Sequence, residues 1–182
     1  MARRLLLVVT LVLCSGALPA GALPAGTGPL VSSTRQAVAQ YADPVVAGAA
    51  GYQPASVSNR VEHWLNPALS RHGPVLNPRR PQGLVYVETG HGLLLVAALF
   101  VLDHPGQRPP RVPGAAWHHH RWCQGDGGIG FPLPGAPCPP GTSLRVGPDM
   151  LHVWMANVRI DPFASDMTPR LACLLSGRPG LL

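Results

Sequence analysis

The clearest pattern of hydrophobic and polar positions lies between residues 84 and 101. Residues 84–88 are mostly β-branched, aromatic or aliphatic, and residues 93–101 are apolar throughout. The intervening segment 89–92 has the threonine and glycine composition of a tight turn. The pattern therefore predicts a β-hairpin whose second strand is central in its sheet and covered on both faces.

A second pattern predicts a broken helix near the N-terminus. Thr34 is a residue type that caps helices, and small apolar residues follow it at helical spacing as far as Tyr41. Asp43 followed by Pro44 predicts a new start, with aspartate as N-cap and proline in the first turn, and Gly51 predicts the stop. The small residues of its apolar face suit close packing against a sheet.

The segments around the hairpin are less regular. Residues 55–60 form a polar connection, and the end of segment 61–67 predicts a short helix or turn. Prolines exclude regular structure before the hairpin, at Pro74, Pro78 and Pro81. Short alternating patterns predict three further strands, at residues 117–123, 143–146 and 150–154. Together the elements predict an α+β domain in which a mostly antiparallel β-sheet packs with a short N-terminal helix.

The beginning of the chain has the pattern of a secretory signal peptide. Arg3 and Arg4 precede an apolar run over residues 5–13, which is too short to span a bilayer. We place cleavage after Ala22, with Ala17 as the alternative. The chain then divides into a signal peptide at 1–22, a flexible linker at 23–33, a single domain at 34–173 and a disordered tail at 174–182. The expected location is secreted or in the cell envelope, with no transmembrane segment in the mature chain.

Charge narrows the range of partners. The 182 residues carry a formal net charge of +6, and all the basic residues are arginines. Without Arg3 and Arg4, the chain has 12 arginines and 8 acidic residues. The arginines are spread along the chain rather than clustered. Nothing in this distribution favours nucleic-acid binding.

The cysteines predict a disulfide bond. Of the 4 cysteines, Cys14 leaves with the signal peptide, and Leu13 before it argues against lipid attachment. Cys123 and Cys138 flank a stretch rich in glycine and proline, and a bridge there would contribute about 3 kcal/mol by the loop-entropy estimate. Pairing of Cys173 with either of them is the alternative.

A histidine cluster is the candidate for chemistry. On a strand His118 and His120 share one face, about 6.6 Å apart, while His119 faces the other way. His152 is the polar residue of a later apolar strand. Three imidazoles on one sheet face could bind zinc, iron, copper or manganese and leave a position open for water or substrate. The alternative is that these histidines are simply solvated.

Several motifs resemble those of a group of exported bacterial proteins of unknown function. They cover roughly residues 34–170 and are Gly51-Tyr52-x-Pro54, Glu62-His63-x-x-Asn66-Pro67, Leu84-Val85-Tyr86-x-Glu88, Trp117-His118-x-His120, Cys138-Pro139-Pro140-Gly141 and Met150-Leu151-His152-Val153-Trp154. The resemblance implies no activity. It implies that five side chains belong to one site: His63, Glu88, His118, His120 and His152.

Cupins offer a second, partial resemblance, because they carry a His-x-His pair on a barrel strand. His118 and His120 fit that pair, but Gln124 stands where the carboxylate is expected, and Leu144 stands where a third histidine is expected. A cupin-like β-barrel is therefore the alternative fold.

Three functions follow from these residues. The first is an exported domain that binds a metal or small ligand, with pocket walls formed by Trp117, Trp122 and Trp154. The second is a cupin-like metalloenzyme, which needs a carboxylate, and the only glutamates in the chain are Glu62 and Glu88. The third is a structural or interaction protein of the cell envelope.

Overall fold

The computed structural model describes residues 27–58, 60–70, 74–125, 128–130, 137–158, 160–165 and 167. The helices are α1 Gly28–Val38, α2 Pro44–Ala49 and α3 Pro67–Ser70, with short 3-10 helices at Ala39–Ala42 and Ala156–Val158. The strands are β1 Gln53–Ser58, β2 Val61–Leu65, β3 Gly83–Thr89, β4 Gly92–Val101, β5 Arg121–Gly125, β6 Gly128–Gly130, β7 Ser143–Val146 and β8 Met150–Trp154. The predicted signal peptide, the predicted disordered tail, Cys14 and Cys173 lie outside the described residues.

The strands form two antiparallel sheets. Five strands make the larger sheet in the order β1-β2-β3-β4-β8, and three make the smaller sheet in the order β6-β5-β7. The predicted α+β class is confirmed. The cupin-like alternative is wrong, because both described sheets are open rather than closed into a barrel.

The predicted hairpin is the centre of the larger sheet. β3 pairs with β4, whose continuous apolar run lies between β3 and β8 and is buried from Leu95 onward. The turn fits its sequence, since Gly92 has a φ of 109° and the Thr89 hydroxyl donates to the Gly92 carbonyl at 2.8 Å. Residues 74–82 contain no helix or strand, as the prolines predicted.

The helices cover one face of the larger sheet, which we call the helix face. There, four buried residues of the hairpin pack against Val38 of α1, Ala47 of α2 and Tyr52. The four hairpin residues are Leu84, Tyr86, Leu95 and Ala98. The opposite face carries Val85, Val87, Ala97, Leu99 and Trp154, which pack with Val158. Among the described residues, no helix is long and apolar enough to cross a membrane.

The N-terminal helix begins earlier than its sequence predicted. α1 starts at Gly28, so the start at Thr34 is wrong, and so is the flexible linker from residue 28 onward. The reason is that Pro29 is compatible with a first helical turn, while Val31, Thr34 and Val38 form a buried stripe against the sheet.

The predicted restart of the helix is confirmed. The Asp43 carboxylate accepts a hydrogen bond from the Val45 N–H at 2.8 Å and so caps α2, which begins at Pro44. Gly51 follows the helix with a φ of 93°, a left-handed conformation that favours glycine.

The connection between helix and hairpin was predicted incorrectly. Residues 55–58 and 61–65 belong to two paired strands, β1 and β2, rather than to a polar connection and a turn. β2 pairs with β3, so its partner lies about twenty residues along the chain and local composition could not reveal it. The predicted short helix is limited to α3.

Leu95→Ala tests the central position of β4. Leu95 is 4% exposed and packs under the helices, so we expect the free energy of unfolding to fall by about 2 to 5 kcal/mol. Leu144→Ala is the matched control, because Leu144 is 44% exposed on β7 and its truncation should change stability by less than about 0.5 kcal/mol. Urea denaturation of both variants makes the comparison. Equal losses would contradict the packing described above.

Candidate functional site

A ribbon of two antiparallel segments carries two of the candidate histidines. We call it the histidine arm and define it as residues 118–125 paired with residues 143–150. β5 pairs with β7, and the Gly147 N–H donates to the His120 carbonyl at 3.0 Å. His118 and Met150 exchange two backbone hydrogen bonds, of 3.0 and 2.7 Å. Because Met150 is the first residue of β8, the arm is joined directly to the strand that carries His152.

A disulfide bond closes the arm. Cys123 on β5 is bonded to Cys138, which precedes β7, with 2.09 Å between the sulfur atoms. The predicted bridge is thus present. It links β5 to the segment that leads into β7, three residues from His120, and Cys123 itself is buried.

The histidines of the arm alternate as their spacing predicted, although the predicted strand is shorter. Strand β5 begins at Arg121, and before it a single bridge joins His118 to Met150. The ring centres of His118 and His120 are nevertheless 5.3 Å apart. His119 instead pairs with the Asp149 carboxylate at 2.9 Å on the exposed side.

The larger sheet supplies two more histidines, His63 from β2 and His152 from β8. His63 lies opposite Val85 and His152 lies opposite Leu99, so both share the face that the helices leave uncovered. Three interstrand spacings, about 14 Å in total, would separate β2 from β8 on a flat sheet. The two ring centres are only 6.1 Å apart, so the imidazole side chains converge over the strands between them. A register shift after Val85 is consistent with local curvature.

The arm and the sheet bring the four imidazoles together. The ring of His118 stacks on that of His152 at 4.8 Å, and the ring of His120 meets that of His63 edge-on at 5.4 Å. His152 is 3% exposed and forms the floor, while the other three rings are partly exposed. We call these four residues the histidine cluster.

Hydrogen bonds orient two of the rings. The Nδ1 of His118 donates to the Ala116 carbonyl at 3.0 Å, which leaves its buried Nε2 without a hydrogen-bond partner. His152 is hydrogen-bonded to the backbone of Ser165, and its buried Nδ1 has no partner. A neutral imidazole that donates from one nitrogen has a lone pair on the other. Each ring therefore has one buried nitrogen able to accept a proton or bind a cation.

Burial favours the neutral form of two rings of the cluster, His63 and His152. The pKa of His63 is lowered to about 4, mainly by burial and to a smaller extent by the nearby His120 and His118. Burial also lowers the pKa of His152 well below its ordinary value, with smaller effects from the other three histidines, whereas the bond to the Ser165 backbone raises it. Uncharged imidazole is the form that binds metal ions.

The structure does not bring Glu88 to the cluster. Glu88 is exposed near the end of β3, beside the turn, and the alternation of that strand places it on the side opposite Val85 and Val87. Glu88 therefore lies apart from the histidines with which the resemblance grouped it. Glu62 also faces away, since its carboxylate accepts a hydrogen bond from the indole of Trp64 at 2.8 Å.

The three tryptophans differ in their relation to the cluster. Trp154 is buried and stacks on His152 at 5.0 Å, so it supports the floor. Trp117 packs instead against an apolar group that contains Phe100 and Leu151, which corrects its interpretation as a wall. The ring of Trp122 lies over Gly147, where an added Cβ would come within 2.9 Å of it.

The supporting groups of the cluster could not be found from the sequence. These groups belong to segments whose sequence has no distinguishing pattern. They are the Ala116 carbonyl, the Ser165 backbone and the Ser56 hydroxyl, and that hydroxyl lies 3.4 Å from the Nδ1 of His63. A signal for His63 itself was available. It sits between Val61 and Leu65 as a polar residue on a strand would, but the following Pro67 favoured a turn.

The neutral state of His63 predicts a pH dependence of stability. Its pKa is about 4 in the folded protein and about 6.5 in an unfolded chain, so the unfolded state binds more protons between these values. Stability should therefore fall as pH decreases from about 6.5 to 4. Urea midpoints across this range should show a shallower fall for His63→Gln than for the wild type. His91→Gln, in an exposed turn, is the control and should follow the wild type; a wild-type slope in His63→Gln would contradict this assignment.

Comparison of the chain with protein-family models, with curated proteins and with solved structures finds no match. The resemblance of its motifs to exported bacterial proteins therefore stays an expectation. What the protein does has to be argued from the histidine cluster.

Proposed function

We propose that this protein binds one late first-row divalent metal ion through the histidine cluster. The observation that carries the proposal is the convergence of four imidazoles, two from the arm and two from the sheet. Burying polar rings on an otherwise apolar sheet face is unfavourable unless they find partners. A shared cation would provide that partner.

The spacing of the rings suits a metal ion. A zinc ion lies about 2.0 to 2.1 Å from an imidazole nitrogen, and so about 3.2 Å from the ring centre. Two such rings on one ion have centres roughly 4.5 to 5.3 Å apart. The pairs His118–His152, His118–His120 and His63–His120 are separated by 4.8, 5.3 and 5.4 Å. The backbone therefore needs little movement to bind an ion.

The rings themselves must turn. Among the described residues, no group of three or more histidine, cysteine, aspartate or glutamate side chains is already arranged to hold a metal ion. The proposal thus includes rotation of the imidazoles about their side-chain torsions on binding. The bonds of His118 to Ala116 and of His152 to the Ser165 backbone support such a role, because metal-binding histidines commonly donate their other N–H to a carbonyl.

The donor atoms select the class of metal. Imidazole suits zinc, copper, nickel and iron, whereas magnesium, calcium and manganese prefer oxygen ligands. Cys123 and Cys138 are committed to the disulfide, and the titratable side chains that affect the pKa values of His63 and His152 are other histidines. Manganese is therefore disfavoured within the set of metals expected from the sequence.

Export is part of the proposal. The disulfide supports an oxidising compartment, since such bonds are rare in the cytosol. The apolar run after Arg3 and Arg4 supports a signal peptide. We propose that the protein handles its metal outside the cytoplasm.

Calorimetric titration with zinc tests the site, using the full chain without a histidine tag. We expect one ion per protein at pH 7.5, weakening as pH falls because protonated imidazole cannot bind. His120→Ala should lower the affinity by more than about tenfold, since its ring lies in the cluster. His119→Ala is the matched control and should change little, because its ring pairs with Asp149 on the exposed side. Equal losses in both variants would indicate adventitious binding by the histidine run, and no binding by the wild type would refute the proposal.

A further inference from the structure

The four rings of the cluster follow one another in a closed circuit. His118 neighbours His120 at 5.3 Å, and His120 neighbours His63 at 5.4 Å. His63 neighbours His152 at 6.1 Å, and His152 returns to His118 at 4.8 Å. Each ring thus has one neighbour within its own element, arm or sheet, and one across the interface.

We propose that His63 is the fourth ligand of the site, so that four imidazoles bind one ion in an all-nitrogen arrangement. This inference rests on the proposed function and specifies its ligand set. It also specifies that no position is left open for a substrate. The three histidines expected from strand alternation alone would have left one.

The placement of His63 supports its role as a ligand. It comes from β2, three strands away from the β8 strand that carries His152, and its ring lies edge-on to the ring of His120 on the arm. Its Nδ1 faces the Ser56 hydroxyl at 3.4 Å, which is a weak contact for a buried polar ring. Without a further partner, a histidine between Val61 and Leu65 would gain nothing over an apolar residue.

Copper(II) is the ion that tests this ligand set most directly. Among the divalent ions of this series it binds most tightly to nitrogen sites, and four nitrogen ligands suit its preferred tetragonal geometry.

This coordination has a functional consequence. An ion whose equatorial positions are all filled by protein imidazoles, with Glu62 and Glu88 facing elsewhere, lacks both a substrate position and a carboxylate base. Such a site stores or transfers its ion and does not hydrolyse a substrate. The disulfide-bonded arm supplies half of the ligands.

Electron paramagnetic resonance of the full chain, untagged and loaded with one equivalent of copper(II), tests the inference. The wild type should show an axial spectrum with four equatorial nitrogens, counted by hyperfine splitting in protein labelled with ¹⁵N-histidine. His63→Ala should show three nitrogens and one oxygen, and added imidazole should restore the wild-type spectrum. His91→Ala removes an exposed histidine and should leave the spectrum unchanged.

The outcomes separate this inference from the proposed function. Three nitrogens in the wild type, with no spectral change in His63→Ala, would overturn the role of His63 while the metal site stands. Failure of the wild type to bind copper(II) stoichiometrically would overturn both. The nitrogen count in the wild type needs no variant, so it remains decisive if His63→Ala does not fold. Circular dichroism of each variant identifies that case.

Discussion

The two backbone hydrogen bonds between His118 and Met150 determine where the histidine arm lies. Together they form an isolated antiparallel bridge. Within the described residues, it is the one strand-like pairing that joins His118 to the first residue of β8. Because they set the register, His118 comes to stack on His152, two residues beyond Met150. His119 consequently faces Asp149 on the other side. A shift of one residue in this pairing would exchange the two faces and remove His118 and His120 from the cluster.

The cluster brings together buried polar atoms that lack hydrogen-bond partners. Some buried polar side chains of the domain have partners: Gln82 bonds Val75 and Val101, and the hydroxyl of Tyr52 donates to the Pro81 carbonyl. The Thr34 hydroxyl and the indole nitrogens of Trp117 and Trp122 have none, and neither do the buried nitrogens of His118 and His152. The two histidines differ from the indoles because their rings stack at 4.8 Å and an imidazole nitrogen can offer a lone pair, whereas an indole N–H can only donate. Buried polar groups of this kind call for an explanation, such as an ion that they bind, and the proposed function therefore centres on the histidines.

Some of the motifs that suggested a shared constellation stabilise the fold instead. The Asn66 side chain donates to the Ala50 carbonyl at 2.9 Å and accepts from the Ala68 N–H at 3.1 Å, so it ties α2 to the start of α3. Gly51 approaches this amide so closely that a Cβ would lie 3.2 Å from it. These residues hold the end of β2, and therefore His63, in position. Motif residues thus contribute to the site both directly and through the backbone that carries it.

The sequence by itself determined the local features of this protein. Continuous apolar residues predicted the central strand β4, Asp43 and Pro44 predicted the cap of α2, and the paired cysteines predicted the disulfide, because each depends on neighbouring residues or on a specific covalent chemistry.

Only the tertiary structure decided which residues meet. The start of α1 depended on burial against the sheet, and the strand structure of residues 53–65 depended on pairing with β3. Pairing between distant strands brought the ring of His63 to 5.4 Å from that of His120 on the arm, and strand alternation placed Glu88 away from it. The physical reason is that side-chain alternation fixes the face of a residue within its own strand, whereas the distance between strands depends on register and curvature, which arise from long-range pairing.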